Sequence, residues 1–392
     1  MERAIGENES KPLSSLQRIF REVARCGGSS RPGLARSLGL RPSTVDTNVR
    51  KLVQKGMVDF REGRKRLRLN SAFGYVVGID LGGSHIHYAL ADFGGERLCE
   101  SDEKIRPEDG PAKLIRQTQE RIQTLVAEMP RYGRLRAMAI GVPSAVTPET
   151  GVVTWANNLP GWKDVPLRAA LEREFHVPIF LENDANMAAI GEHWRGVAKG
   201  VDNFVFIALG TGIGSGVFVD GKLYVGRTGA AGELFRMNVD WPRWDEDFRD
   251  TGHFESFVSG LGIAAEGHKA LSAEAGGKPL GLREERDAYF VFEALRQGDP
   301  KAHEVLERTF TMLGVGVANV VAVLDPDLIV FGGGVSKGAP GLMLATVEKV
   351  VRRIQPDPPR LKLSTLQDQA QTYGAIFAAL SLAQEVVLRQ LG

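Results

Sequence analysis

The chain reads as a small basic winged-helix head joined to an α/β body of two similar lobes. Three observations carry that reading. A helix-turn-helix pattern with a charged hairpin runs to Asn70, and a glycine-rich hairpin, Gly78-Ile79-Asp80-Leu81-Gly82-Gly83-Ser84, begins almost at once. A second hairpin of the same design starts at Asn203. Charge divides at the same junction: residues 1–70 hold 16 Lys and Arg against 7 Asp and Glu, and the remainder is net acidic although the whole chain sums to +1. That asymmetry fits a nucleic-acid-binding module, because neutralising phosphates supplies most non-specific affinity.

In the head, Leu16, Ile19, Phe20, Val23 and Ala24 fall on one face of a first helix reaching about Arg25. Gly27-Gly28-Ser29-Ser30 breaks it, residues 32–38 form a short second helix, and Gly39 supplies the turn. Pro42 opens a third helix whose Val45, Val49, Leu52 and Val53 make a buried stripe. Its other face carries Ser43, Thr44, Thr47, Asn48 and Arg50, with Arg41 just before it, side chains able to bind phosphates or read base edges. The alternating run 57–70, with its tip near Gly63, reads as a wing loaded by Arg61, Arg64, Lys65, Arg66 and Arg68. A head that docks protein is the competing reading, and it does not require five cations on one hairpin.

In the body, each glycine hairpin is an apolar strand, a glycine turn and a second strand, a design that lets backbone amides approach phosphate oxygens. Gly210-Thr211-Gly212-Ile213-Gly214 is not a dinucleotide fingerprint, because a strand-like segment rather than a helix follows it. A third cluster, Gly332-Gly333-Gly334, ends a buried strand and is placed to pass under a nucleotide base. Between the hairpins, Ile179-Phe180-Leu181-Glu182-Asn183-Asp184 runs into a helix. Asp184 there suits a base that orients a substrate hydroxyl, and equally suits a helix N-cap. Asn158 and Trp162 are of the kind that line a sugar pocket, although Asn158 taken alone is more often a turn residue.

With these pieces in register, residues 11–390 resemble the ROK family of repressors, open reading frames and sugar kinases. The resemblance implies an actin-like, RNase H-like two-lobed sugar-kinase fold preceded by a winged helix-turn-helix domain. The expected divisions are 11–70 for the winged head, 75–186 for a smaller lobe completed by the C-terminal helix, and 187–392 for a larger lobe. Asp80, Gly82, Gly83 and Ser84 match the family's first phosphate motif, with Ser84 at the usual Thr. Gly210, Thr211, Gly212 and Gly214 match the second, and Gly332, Gly333 and Gly334 match the adenosine segment, which implies ATP with Mg as cofactor. Asn183 and Asp184 match the sugar-binding Asn and the catalytic Asp, and Asn158, Glu233 and Glu255 match further sugar contacts.

Two departures stand out. Arg236 occupies the position of a family histidine, and its guanidinium suits an acidic or phosphorylated sugar, a pairing with Glu233, or a bare surface left by metal loss. Glu246, Phe248 and His253 stand at three zinc-cysteine positions, so the zinc site reads as lost, with Trp241, Trp244, Phe248 and Phe254 expected to pack the segment instead.

The bulk properties set further limits. With 43% hydrophobic residues the chain can bury a large core. Its only cysteines, Cys26 and Cys99, give no disulfide framework and fit a cytoplasmic protein. The polar N-terminus and the absence of an apolar run of about 18 residues argue against secretion and membranes. The resulting expectation is a homodimeric or homotetrameric transcriptional regulator, a repressor, binding operator DNA and a sugar effector. The alternative is an ATP-dependent sugar kinase of the hexokinase or glucokinase type, alone or in addition.

Overall fold

The computed structural model describes residues 12–61, 66–106, 108–155, 159, 161–248, 252–271 and 287–392. The chain divides into two compact units, Met1–Asp184 with Thr372–Gly392, and Ala185–Gln371.

The first unit opens with three helices, α1 (Ser15–Cys26), α2 (Arg31–Leu38) and α3 (Pro42–Gln54), and an antiparallel ribbon, β1 (Val58–Arg61) and β2 (Arg66–Leu69). Helix α1 starts in a capping box: the Ser14 hydroxyl accepts from the Gln17 N–H at 3.3 Å, and the Ser14 N–H donates to the Gln17 side chain at 2.8 Å. It stops at Gly27, whose φ of 61° is open to glycine at no steric cost. Ser30 caps α2 through the Gly33 N–H. Ile19, Phe20, Val23, Leu34, Val45, Val49, Leu52 and Leu67 are all buried, each such side chain worth about 1.5–3 kcal/mol. The break at residues 27–30 has a second task that the sequence did not disclose: Ser29 pairs with Leu67 through two backbone hydrogen bonds, tying the ribbon to the helices.

After a 3₁₀ turn at Ser71–Phe73 comes a five-stranded sheet in the order β10-β6-β3-β4-β5. It is built from β3 (Tyr75–Leu81), β4 (His85–Asp92), β5 (Arg97–Lys104), β6 (Leu135–Val142) and β10 (Ile179–Asn183). Strands β3, β6 and β10 are parallel, and β4 and β5 run antiparallel as a meander. Helices α4 (Pro111–Ala127) and α5 (Leu167–Phe175) share a core with the sheet, through Leu114, Ile122 and Leu171 against Val77, Ile79, Ile140 and Leu181. A three-stranded sheet, β7 (Ala145–Thr147), β8 (Val152–Trp155) and β9 (Lys163–Val165), adjoins them. The C-terminal helix, Ala370–Gln390, returns to this unit and lies so close on β3 that a Cβ at Gly78 would sit 2.8 Å from the Ile376 nitrogen.

The second unit repeats that strand order. Its sheet runs β13-β12-β11-β14-β15, from β11 (Phe204–Leu209), β12 (Ile213–Val219), β13 (Lys222–Leu223), β14 (Leu328–Gly332) and β15 (Arg360–Leu363). Again a first strand pairs antiparallel with its hairpin partner and parallel with the strand on its other side. Helix α6 (Asp184–Arg195) leads into this unit. Then follow α7 (Glu255–Val258), α8 (Gly260–Leu271), α9 (Tyr289–Arg296), α10 (Pro300–Leu324), α11 (Gly334–Gly338) and α12 (Pro340–Ile354). By length and composition α10 meets the criterion for a membrane-crossing helix, which the sequence reading had denied to every segment. Its Leu306, Phe310, Leu313, Val317 and Val321 are buried in the core of this unit.

Candidate functional sites

In the first unit the carboxyl ends of β3 and β10 bring two carboxylates together. Asp80 stands one residue before the end of β3, opposite Gly141 of β6, and Gly141 also faces Glu182 of β10. Asp184 follows β10 directly and opens α6, where an acidic side chain complements the helix dipole. Burial, and then the charge of Asp184, push Asp80 up to about 7, with His87 pulling the other way. His87 is held through Nδ1 to Asp102 at 2.7 Å. The Asn183 side chain donates to the Ser144 carbonyl at 3.4 Å. The turn 82–84 is closed by the Gly82 N–H on the His85 carbonyl, which leaves Gly83 and Ser84 exposed. Asn158 lies outside the described residues. Trp162 is 2% exposed and belongs to the core of this unit, which corrects its reading as a pocket aromatic: the apolar ring gains more from the core than from a wet cleft.

In the second unit the glycines divide by task. A Cβ at Gly214 would lie 2.9 Å from the Ala185 Cβ, and one at Gly216 would lie 2.5 Å from the Ala189 Cβ, so both let α6 close onto β12. Gly210 and Thr211 give their carbonyls to the N–H groups of Gly260 and Leu261 at the start of α8. Gly333, at φ +86°, passes over the end of β11, where a Cβ would meet the Leu209 carbonyl oxygen at 2.4 Å. Beside Gly332 and Gly333, and short of exposed Gly334, opens a cavity of about 240 Å³ whose walls include Ser336, Lys337, Ser364 and Gln367. None of these four was singled out in the sequence, because serine, lysine and glutamine after a strand carry no motif. Below Ser364 its hydroxyl donates to Glu192, which is fully buried on α6 and also accepts from the Val197 N–H at 2.9 Å.

Glu233, Arg236 and Glu255 form a local group in this unit. Gly232, pinned by its carbonyl to the Ser215 hydroxyl at 2.5 Å, sets Glu233 beside β12. Glu255 accepts from the Ile213 N–H at 2.8 Å, so one of its oxygens is bonded to the second glycine hairpin, next to Gly212. Burial raises both glutamates; the Ile213 bond opposes this in Glu255, and the charge of Arg236 opposes it in Glu233. Arg236 is exposed, with its guanidinium 4.7 Å from the Phe235 ring centroid.

The segment at the zinc position does not fit that metal. Glu246 is taken by a two-pronged pair with Arg243 at 2.6 and 2.5 Å. His253 is buried between the rings of Phe248, at 4.6 Å, and Phe257, at 5.1 Å. Neither cysteine of the chain is near in sequence, and among the described residues no three His, Cys, Asp or Glu side chains gather to hold an ion. Phe254 packs in the core, but Trp244 is 74% exposed, which corrects its expected role: the 3₁₀ turn at Trp241–Arg243 and the Arg243–Glu246 pair hold the segment without it.

On the head, Arg41, Ser43, Thr47 and Arg50 of α3 and Arg66 of the ribbon are exposed, and Thr44 and Asn48 are half-buried. Arg64 and Lys65 lie outside the described residues. Asp46, on the same helix, is held by Arg31 at 3.0 Å, and Arg31 in turn lies 4.9 Å over the Phe60 ring. That pair was not legible in the sequence, since the two residues sit on different helices.

A model of the ROK family matches residues 76–383. The xylose repressor of Caldicellulosiruptor bescii is 26% identical over 367 residues, covering 90% of this chain and 92% of that one. The glucokinase of Thermotoga maritima is 33% identical over 284 residues, covering 72% of this chain and 88% of its own. A solved ROK family transcriptional regulator, described as a homologue of the E. coli MLC protein, shares the fold with a TM-score of 0.81 at 24% identity, covering 96% of this chain and 98% of that one.

Proposed function

Because the chain belongs to the ROK family, we propose that it is a sugar-responsive transcriptional repressor of carbohydrate genes. One observation carries this reading: the likeness to a named repressor extends over 90% of the chain, whereas the likeness to a glucokinase stops at 72%. The difference has the size of the basic head, which in this reading is a winged helix-turn-helix with α3 in the major groove and the ribbon as wing. Arg41, Ser43, Thr44, Thr47, Asn48, Arg50 and Arg66, with Arg64 and Lys65, contact DNA. In this reading Asn158, Asn183, Asp184, Glu233, Arg236 and Glu255 bind the sugar, the amide and carboxylate oxygens accepting from its hydroxyls and the Arg236 guanidinium donating to its oxygens. The working form is a homodimer or homotetramer, since two heads are needed to read two half-sites.

The test is selection of randomised duplex DNA on the full chain and on residues 71–392, with D-xylose, D-glucose and N-acetyl-D-glucosamine added in turn. A palindrome recovered only with the head, and released by one sugar, supports the repressor. Selection that ignores the head or every sugar argues against it.

The paired Asp80 and Asp184 favour a second reading, an ATP-dependent sugar kinase working alongside regulation. The cavity beside Gly332 and Gly333 supports this reading, because Ser336, Lys337, Ser364 and Gln367 in its walls offer hydroxyl, ammonium and amide partners to a nucleotide. Asp80 would hold the magnesium, whose charge would offset the burial and the Asp184 charge that raise its pKa, and the bound Mg-ATP would supply the phosphoryl group. Asp184 would accept the proton of the sugar hydroxyl. Sugar-dependent ADP release that disappears in Asp184→Asn establishes this activity; none across the same sugars removes it.

A further inference from the structure

The segment joining the head to the first lobe is a fixed joint. Asn70 closes the head: its side-chain amide donates to the Gly56 carbonyl at 2.8 Å, its N–H donates to the Met57 carbonyl at 3.0 Å, and its side-chain oxygen accepts from Ala72 at 3.1 Å. Phe73 then meets Arg136 of β6. Arg136 donates through Nε and Nη2 to the Phe73 carbonyl at 3.0 and 2.6 Å, and its guanidinium lies 3.7 Å from the Phe73 ring centroid. The same ring is met edge-on by Phe93 at 5.0 Å. At Gly74 the chain runs so close to β6 that a Cβ would lie 2.5 Å from the Arg136 Cγ and 2.8 Å from the Arg134 carbonyl oxygen.

A second attachment holds the start of the head. Gln17, in the first turn of α1, donates through Nε2 to the Leu388 carbonyl at 2.9 Å, while its Oε1 accepts from the Ser14 N–H. Leu388 lies in the last turn of the C-terminal helix, and its carbonyl accepts from the Leu391 N–H at 3.2 Å as well as from Gln17. One attachment would leave the head free to turn about it. Attachments at residues 17 and 73, on either side of α2 and α3, remove that freedom.

We infer that the DNA-binding head is carried as a rigid extension of its lobe, with Arg136 the positioning residue that lets the sugar-bound state of the body set the placement of α3. This deepens the repressor reading and rests on it. A head on a slack tether finds its half-site whatever the body does, and an effector with no differential influence on two states shifts neither. A planar guanidinium that is forked onto one carbonyl and stacked on the ring of the same residue fixes orientation as well as distance, which a lysine in its place would not.

Two measurements on the full chain decide it. Spin labels at Cys26, which is exposed, and at Arg116→Cys on an exposed turn of α4, in a Cys99→Ser background, report the distance from head to lobe. One narrow head-to-lobe distance, unchanged by D-xylose, D-glucose or operator duplex, is expected when the labelled chain is diluted into oligomers of unlabelled, cysteine-free chain; a broad distribution overturns the inference. In parallel, the Kd for operator duplex is measured with and without the effective sugar in the wild type, in Arg136→Ala and in Gln17→Ala combined with Arg136→Ala. The wild-type ratio, about 5–150 for ordinary allosteric coupling, is expected to fall to about 1 in the double variant while its affinity for the sugar stays within about two-fold. A double variant that keeps the full ratio overturns the inference. If the variants do not fold, the label distance in the parent chain decides alone. A wild-type chain whose DNA affinity ignores every sugar removes the repressor reading instead, and the label distance still reports whether the head is rigid.

Discussion

Asp80 holds its proton more tightly in the folded chain than in the unfolded one. Its pKa of about 7, raised first by burial and then by Asp184, stands well above the unfolded value of about 4. The stability it contributes is therefore fully present below about pH 4 and is lost as pH rises through 7. Asp80→Asn is expected to melt higher than the wild type at pH 8, by about 2–4 °C for each kcal/mol relieved, with the gap narrowing toward pH 4. Melting curves at pH 4.5, 6 and 8 check this, and a gap independent of pH contradicts it. Gly333→Ala places a methyl against the Leu209 carbonyl at a positive φ, and is expected to cost about 1–3 kcal/mol in urea and to abolish binding of an ATP analogue. Asp80, Asp184 and Gly333 were legible because each belongs to a short run whose chemistry is local. Arg136 and Phe73 were not: they are 63 positions apart, and neither residue type announces a partner.

Among the elements, the helices of the head were read to within a residue or two because capping serines, Pro42 and the glycine stops mark their ends. The bridge from Ser29 to the ribbon was missed, since a single pairing leaves no alternation to detect. If α3 and the ribbon contact DNA backbone, Arg50→Ala and Arg66→Ala should each lower the slope of log K against log salt by about 0.9 and weaken all sequences alike. Titrations between 50 and 200 mM salt test this, and an unchanged slope places either residue off the backbone. In the second unit, α6 is tied to the segment after β15 by Glu192 and Ser364, 172 residues apart. Burial raises the Glu192 pKa and the Ser364 bond opposes that rise, so Ser364→Ala leaves a buried carboxyl short of a donor. The expected loss is about 1–3 kcal/mol in chemical denaturation.

At the scale of the molecule, the repeated strand order accounts for what the paired glycine hairpins had suggested: both begin the first antiparallel pair of a five-stranded sheet with the same neighbours. That the last helix belongs with the first lobe was expected only from the family resemblance, because by its own pattern an apolar helix of 21 residues fits either lobe equally well. Residues 71–392 are expected to keep their sugar affinity within about two-fold and to lose at least about 10³ in DNA affinity, as is typical when specific contacts are removed. Calorimetry and fluorescence anisotropy on the two chains check both halves of this expectation.

The bond from Gln17 to Leu388 also has a consequence in time. The head is synthesised first, but the carbonyl that anchors its first helix is made 371 residues later. At ordinary elongation rates that interval is on the order of 20–70 s. For the part of that interval after Arg136 and the rest of the first sheet have been made, the nascent head has only the attachment at residue 73. On the rigid-joint proposal, a chain ended before Leu388 is expected to keep its DNA affinity and to lose part of the response to the sugar.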